Sequence, residues 1–359
     1  MKVAILWTRL SGYMNVCIKE LAQRDGVELL VCHIVPAEEA PFDENLFNWI
    51  PNRIPWRSEA DLVSLEERLT AFGPDVLIFT GWHIGPYRRL ARRFRNRSLR
   101  VMTMDNPWRA SLKQCAGVLF ASYYVGPLAD AVWLPGERQA VFAAKMGFKQ
   151  GSILRGLYSC DQQRMAAVHL ARVAAQKPVP RKFIFVGRFV EDKGVDTLVK
   201  AYQLYRNSQA NPWPLLCCGT GPMGSMLEGK DGIQVEGFVQ PDQMPAKLAA
   251  AGCLILPSVF EPWALVVHEA ASAGLLILAS QNVGAAVHLV QPNYNGFIAG
   301  NRDAKGLAEL MCRIGAMSDE RLNNMSRASY CLSQQFSPSR WTDTIIESFH
   351  AWPKREHVC

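Results

Sequence analysis

Short apolar runs alternate with helical patterns along almost the whole chain, and the alternation begins twice. "KVAILW" (2–7) reads as a buried strand, "YMNVCIKELAQRDG" (13–26) as a helix closed by Gly26, and "VELLVCHIV" (27–35) as a second strand. A helix in 59–73, a strand in 75–80, an arginine-rich helix, a strand in 100–105 and another in "GVLFAS" (117–122) continue the pattern. A second cycle opens at "KFIFVG" (182–187) and runs through strands at 214–219, 233–239, 253–257 and 275–280. Strands alternating with helices imply a parallel sheet covered on both faces. Two restarts imply two such sheets, and the 359 residues exceed what one core of about 150–200 residues supports.

The expected class is therefore α/β, with two doubly wound, Rossmann-like domains. We place the first at 1–170 and the second at 171–337, with "RVAAQKPVPR" (172–181) as a linker. The last helical pattern, "SRWTDTIIESFHAW" (339–352), follows the second domain and fits against either, so 338–359 is a candidate to pack back on the first. No run approaches the roughly 18 apolar residues of a membrane span, and the apolar core of "MKVAILWTRLSG" is too short for a secretory signal, so a cytoplasmic location is expected. Ten cysteines without a CxxC pair or adjacent histidines suggest reduced thiols, with neither a zinc site nor a disulfide framework.

In open parallel sheets the ligand lies beyond the carboxyl ends of the strands, where loops lead into helices. After "FIFVG", ending in Gly187, the loop "RFVEDKG" sets Arg188 and Lys193 ahead of a helix, and two cations beside free helix amides suit a phosphate. The next loop, "GTGPMG", satisfies G-x-G-x-x-G with Gly219, Gly221 and Gly224, the outline of a dinucleotide fingerprint. Pro222, Gly229 and Gly232 leave only "MGSMLE" for the crossover helix, and the pattern comes after the second strand of its unit rather than the first. Both points weigh against an NAD-dependent oxidoreductase without removing it.

A third loop, "FEPWALVVHEAASAG" (260–274), keeps Glu261 and Glu269 at either end of an apolar run, where charges are rare unless paired or at work. Pro262 suits the first helical position and Gly274 the stop, so eight residues of helix separate the carboxylates by at most about 12 Å. Unpaired amides of Trp263, Ala264 and Leu265 lie between them as donors to phosphate oxygens. The pattern suggests two acceptors of hydroxyl groups flanking an anion at a helix start.

The E-x7-E of "EPWALVVHE", following "VGRFVEDKGVDTL", "GTGP" and "VEGFV" and preceding "NVGAAVHLVQPNYNGFIAG", resembles the retaining glycosyltransferase family 4 of GT-B fold, across essentially the whole second unit. The resemblance implies two domains facing an interdomain cleft. It implies that Arg188 and Lys193 bind the donor diphosphate, that Glu261 contacts the sugar, and that Glu269 holds the ribose. Gly237 and Phe238 would lie by the base, and Gly284 would line the same pocket. In the first unit, "LSGYMNVCIKELA" stands where the family has a glycine-containing loop near the phosphate, which points to Gly12. "PDVLIFTGWHIG" points to His83 in catalysis or acceptor orientation, and "MDNPWR" to Asp105 and Asn106 on the acceptor side. Where many relatives carry a glutamate in the late glycine loop, this chain has His288.

Trp7, Trp82 and Trp108 follow three strands at what should be one sheet edge, where aromatic faces suit either sugar rings or domain packing. The chain has no D-x-D, so no metal or other cofactor is expected, and the two cations with the helix amides would offset charge on the leaving diphosphate. The resemblance implies retention of configuration, with Glu261 positioning the sugar. The partners expected are a nucleotide-sugar donor, UDP- or GDP-linked, and a glycan or lipid-linked glycan acceptor, as in bacterial surface polysaccharide synthesis. A non-catalytic nucleotide or sugar binder is the remaining alternative.

Seven arginines between Arg88 and Arg100, uninterrupted by an acid, give a net charge of +7 an uneven distribution. Tyr87, Leu90, Ala91 and Phe94 share one helix face, leaving a basic face that is either simply solvated or drawn to anionic headgroups, with nucleic acid not expected as a partner. The segment 40–56, with Phe42, Leu46, Phe47, Trp49, Ile50 and Trp56 among prolines, reads as an acceptor flap, a shallow membrane contact or part of the first core.

Overall fold

The structure, a computed structural model, describes residues 1–35, 44–57, 59–80 and 82–352. The chain divides into two compact units, one of residues 1–159 with 338–359 and one of residues 160–337. The first holds a seven-stranded sheet: β1 (Lys2–Trp7), β2 (Glu28–Ile34), β3 (Arg53–Trp56), β4 (Val76–Thr80), β5 (Leu99–Thr103), β6 (Ala131–Trp133) and β7 (Ile153–Leu154). Its order is 3-2-1-4-5-6-7, and every pairing is parallel. β1 is an interior strand, with Val3 beside Leu29 on one side and Val76 on the other. Val3, Ala4, Ile5 and Leu6 are wholly buried, as a strand covered on both faces requires. Chain direction across the sheet reverses between β1 and β4, which opens a crevice at their carboxyl ends.

Residues 338–351 belong to this first unit. The helix Pro338–Ala351 packs on the helix Gly12–Ala22, and Trp341 lies against Trp133 with ring centroids 4.7 Å apart. The Trp341 indole donates to the Leu157 carbonyl at 2.9 Å, and Arg24 reaches Ser339 and Asp343.

The second unit holds a six-stranded parallel sheet: β8 (Phe183–Val186), β9 (Leu215–Cys218), β10 (Ile233–Glu236), β11 (Cys253–Leu256), β12 (Leu276–Ser280) and β13 (Gly296–Ala299). Its order, 10-9-8-11-12-13, repeats the same reversal, here between β8 and β11. The helix Gln162–Ala174 belongs to this unit, capped by Asp161, whose carboxylate accepts from the Arg164 amide. Of the stretch expected as a linker, 172–174 form the end of this helix and the rest leads directly to β8, with Val179 buried on the way.

Two readings of the first unit need correction. "GVLFAS" is no strand but the middle of the helix Leu112–Tyr124, capped by Ser111, whose hydroxyl accepts from the Gln114 amide. A six-residue apolar run does not distinguish strand from helix, and β5 takes β6 as its neighbour instead. The segment 44–56 is neither flap nor membrane contact. Phe47, Ile50, Ile54 and Trp56 are buried in the core, the Trp49 indole donates to Asn15 at 2.7 Å, and the Trp56 indole donates to Tyr87 at 2.9 Å. Phe42 falls outside the described residues. On the arginine helix, Gly85–Arg93, the residues Tyr87, Leu90 and Ala91 are buried, as is Phe94 beyond its end.

Candidate functional site

In the second unit the loops after β8, β9, β11 and β12 meet at the reversal point. Gly194 links the loop after β8 to the helix Val195–Ser208 with φ +68°, and a methyl group there would lie 2.2 Å from the Pro257 carbonyl oxygen. Only glycine meets both conditions. The Asp192 carbonyl accepts the amides of Val259 at 2.8 Å and Phe260 at 3.2 Å, which locks this loop to the one after β11. The lock brings Lys193 to Glu261, and the two form an ion pair largely shielded from solvent. Arg188 on the same loop is exposed and has no carboxylate partner among the described residues.

The glycines of "GTGPMG" have a packing role. A methyl group on Gly219 would lie 1.9 Å from the Gly187 carbonyl oxygen, and one on Gly221 2.5 Å from that of Phe189. The loop therefore lies flat on the loop after β8, with the Phe189 amide donating to Thr220 at 2.7 Å. Beyond it the chain makes only a three-residue turn, Gly224–Met226, in place of the long helix whose amino end would hold a pyrophosphate in a dinucleotide site. Gly237 and Phe238 are exposed just past β10.

The segment 260–274 departs from expectation at its start. The helix runs Leu265–Ser272 and does not begin at Pro262, because Ala264 takes φ +76° and turns the chain out of helical geometry. A non-glycine residue there costs roughly 1–3 kcal/mol, a strain typical of functional loops. The carboxylates are thus not separated by eight residues of straight helix. The bend also leaves the amides of Trp263, Ala264, Leu265 and Val266 without an acceptor among the described residues, four successive donors beside the Lys193–Glu261 pair. Gly284 holds the bend: its amide donates to the Glu261 carbonyl at 3.0 Å, and a methyl group on it would lie 1.9 Å from the Pro262 carbonyl oxygen.

Burial, and then the Asp161 carboxylate, push the Glu269 carboxyl up from its ordinary 4.5 to about 7. A group so placed is uncomfortable as an anion until something donates hydrogen bonds to it. The Trp263 ring turns inward to Phe336 and His288, at centroid distances of 5.5 and 5.8 Å, so this residue offers its amide rather than its ring to the loop. Asp161 escaped the sequence reading, although its position one residue before a helix marks it as a cap.

In the first unit a cavity of about 360 Å³ sits at the carboxyl ends of β1, β4 and β5. Trp7, Trp82, His83, Asp105 and Asn106 line it. Trp108 does not reach it and packs on Phe142 under the Lys145 ammonium. Gly12 opens the helix beside it. Three lining residues that the sequence did not single out are Arg9, Tyr13 and Tyr158. The Tyr158 hydroxyl donates to Asp105 at 3.1 Å, and the Tyr13 and Tyr158 rings meet edge to face at 5.2 Å. Burial pushes the Tyr13 hydroxyl up to about 12 and that of Tyr158 well above its ordinary range, so both remain neutral donors. Among the described residues no cluster of three or more His, Cys, Asp or Glu side chains has the arrangement of a metal site.

Residues 171–330 match the family of glycosyl transferases group 1. The chain is 28% identical over 123 residues to an uncharacterized glycosyltransferase of Methanocaldococcus jannaschii, which covers 32% of this chain and 31% of that protein. It is 30% identical over 112 residues to the uncharacterized glycosyltransferase YqgM of Bacillus subtilis, covering 29% of this chain and 31% of that one. The chain thus spans about a third of the length of these curated relatives. Across 98% of its length it superposes on all of Anabaena HepE, solved in complex with UDP, with a TM-score of 0.76 and 15% sequence identity. Two parallel Rossmann-like sheets and this likeness identify the fold as GT-B. The glycosyl transferases group 1 match contains the loops of Arg188, Lys193, Gly219, Gly221, Glu261, Glu269 and Gly284, whereas the cavity residues His83, Asp105 and Asn106 lie outside it.

Proposed function

We propose that the protein is a retaining glycosyltransferase of family 4 that moves a sugar from a UDP- or GDP-linked donor to a glycan hydroxyl, without a metal cofactor. The observation that carries this reading is the bend at Ala264, where four unengaged amides stand beside the Lys193–Glu261 pair inside the segment that matches glycosyl transferases group 1. Those amides, Lys193 and Arg188 are the groups that would meet a diphosphate. Its developing negative charge on departure is what preorganised donors stabilise most. Glu261 would orient a sugar hydroxyl, and Glu269 would accept from the ribose, which supplies hydrogen bonds to its half-buried carboxylate. The UDP in the HepE structure supports a nucleotide-linked donor.

The first-unit cavity, with Trp7 and Trp82 for a ring face and Asp105 for hydroxyls, is the proposed acceptor side, and His83 at its rim would orient the attacking hydroxyl. The acceptor we propose is a glycan or lipid-linked glycan of a surface polysaccharide. The exposed arginines of the helix Gly85–Arg93 support peripheral contact with the anionic inner face of a cytoplasmic membrane.

Calorimetry with UDP, GDP and NAD tests the donor reading first. Binding of one nucleoside diphosphate, lost in Glu269→Ala, is expected, and binding of NAD alone would reverse the assignment. Release of nucleoside diphosphate from a sugar donor in the presence of EDTA tests both turnover and metal independence. A nucleotide that binds without ever being released from a donor would leave only a binding protein.

A further inference from the structure

The helix Leu112–Tyr124 is packed the wrong way round for a soluble protein. Ala121 is its one buried residue, with Gln114 and Val118 half-buried on the same face. The opposite face presents Leu112, Leu119, Phe120 and Tyr123 at 90%, 78%, 60% and 75% exposure, with Tyr124 beside them at 54%. Positions 112, 116, 119, 120 and 123 follow helical spacing, so these side chains form one continuous outward stripe rather than scattered exceptions. Lys113 is the only charged residue on the helix.

The surroundings are strongly basic. From Gly85 to Val125 nine arginines and lysines face a single acid, Asp105. The arginine helix Gly85–Arg93 and the helix Leu112–Tyr124 both pack on the turn Gly126–Leu128, which makes the two helices neighbours. Arg93 pairs with Glu66 and Arg100 with Asp130, but Arg89, Arg92, Arg95 and Arg97 are exposed with no carboxylate partner among the described residues.

We infer that the helix Leu112–Tyr124 is an interfacial anchor whose leucine and aromatic side chains enter the headgroup region of an anionic bilayer while the neighbouring arginines meet its phosphates. An apolar helical face next to a polybasic one is the combination that gives stable but reversible attachment, since either signal alone is weak. Two tyrosines at one end of the stripe suit the boundary between water and acyl chains. A two-fold contact whose axis ran through the arginines would bring each cationic cluster against its own image, which disfavours a second copy as the partner of that part of the face. This inference extends the proposed contact of the arginine helix with lipid, and it requires no donor turnover.

The test is co-sedimentation of the full chain with phosphatidylcholine vesicles containing about one third phosphatidylglycerol at low salt. Leu119→Asp/Phe120→Asp, Leu112→Asp and Arg89→Glu/Arg92→Glu are run beside it. The parent is expected to pellet with the vesicles, and the first two variants to bind roughly tenfold more weakly or worse. Their melting temperatures should stay unchanged, because these side chains stand in solvent. Apolar variants that pellet like the parent would overturn insertion, while weakened binding of the arginine variant alone would leave the surface contact standing. A parent that stays in the supernatant overturns both. So does a dimer that dissolves on Leu119→Asp/Phe120→Asp and ignores vesicles, which would give the face to a second copy.

Discussion

The Lys193 ammonium is paired with the Glu261 carboxylate across 68 residues of sequence, and both side chains are mostly shielded from water. Two groups that the sequence assigned to separate parts of a ligand therefore hold each other. Pairing fixes both in place and keeps either charge from standing uncompensated. A diphosphate arriving at the adjacent amides would compete with Glu261 for the lysine and free the carboxylate for a hydroxyl.

Lys193→Met is expected to lower kcat/KM for the sugar donor about a hundredfold, equivalent to roughly 2.7 kcal/mol. It should also cost about 1–3 kcal/mol of stability, because Glu261 is left without its counter-charge. Adding Glu261→Gln should restore most of the stability and none of the activity. Denaturant unfolding of the two single variants and the double one, read as a cycle, measures the coupling.

Glu269 gives a pH dependence whose sign is fixed. Its carboxyl is raised to about 7 in the folded chain, so between its ordinary 4.5 and 7 the folded state holds the proton more tightly than the unfolded state. Stability therefore falls as pH rises through this window, by an amount on the order of 2 kcal/mol since the group keeps some solvent contact. Glu269→Gln should abolish the slope and be the more stable protein above pH 7. Nucleotide affinity should move the opposite way, rising from pH 6 to 8 in the parent as the hydroxyl-accepting anion forms, and remaining flat in the variant. Thermal melts and calorimetry at matched pH separate the two trends.

Two small changes at the bend should have opposite effects. Gly284→Ala places a methyl group 1.9 Å from the Pro262 carbonyl oxygen. It should displace the bend, cost about 2–3 kcal/mol and abolish nucleotide binding. Ala264→Gly removes the penalty of φ +76°. It should leave stability unchanged or raise it by up to about 1 kcal/mol, with nucleotide affinity retained.

Trp341→Ala should be among the most damaging changes remote from either site. It deletes a buried ring packed against Trp133 and leaves the Leu157 carbonyl without its donor. A loss of about 3–5 kcal/mol is expected, visible as a lower denaturant midpoint.

The sheets and their loops were legible because strands buried on both faces read as apolar runs, and because ligand loops follow such strands at fixed positions. The strands β3, β6, β7 and β13, two to four residues long, were not. The delayed helix start at Leu265 was invisible because nothing about an alanine announces a positive φ. The Lys193–Glu261 pair and the Tyr158–Asp105 bond join residues far apart in sequence, and only the sheet order brings them together. The helix Leu112–Tyr124 reads as a strand for a different reason: its apolar residues face water, reversing the rule by which burial is inferred from pattern.

The return of residues 338–351 to the first unit makes the second unit an insertion within it. On the ribosome, all of 160–337 is made before the helix that covers Trp133 exists. The first unit must therefore wait, with that tryptophan lacking its packing partner, while its successor folds. Cutting the gene at the boundary would release a complete second unit and a first unit missing its final piece. Independent expression of the first requires 338–351 to be rejoined to 159 by a short linker.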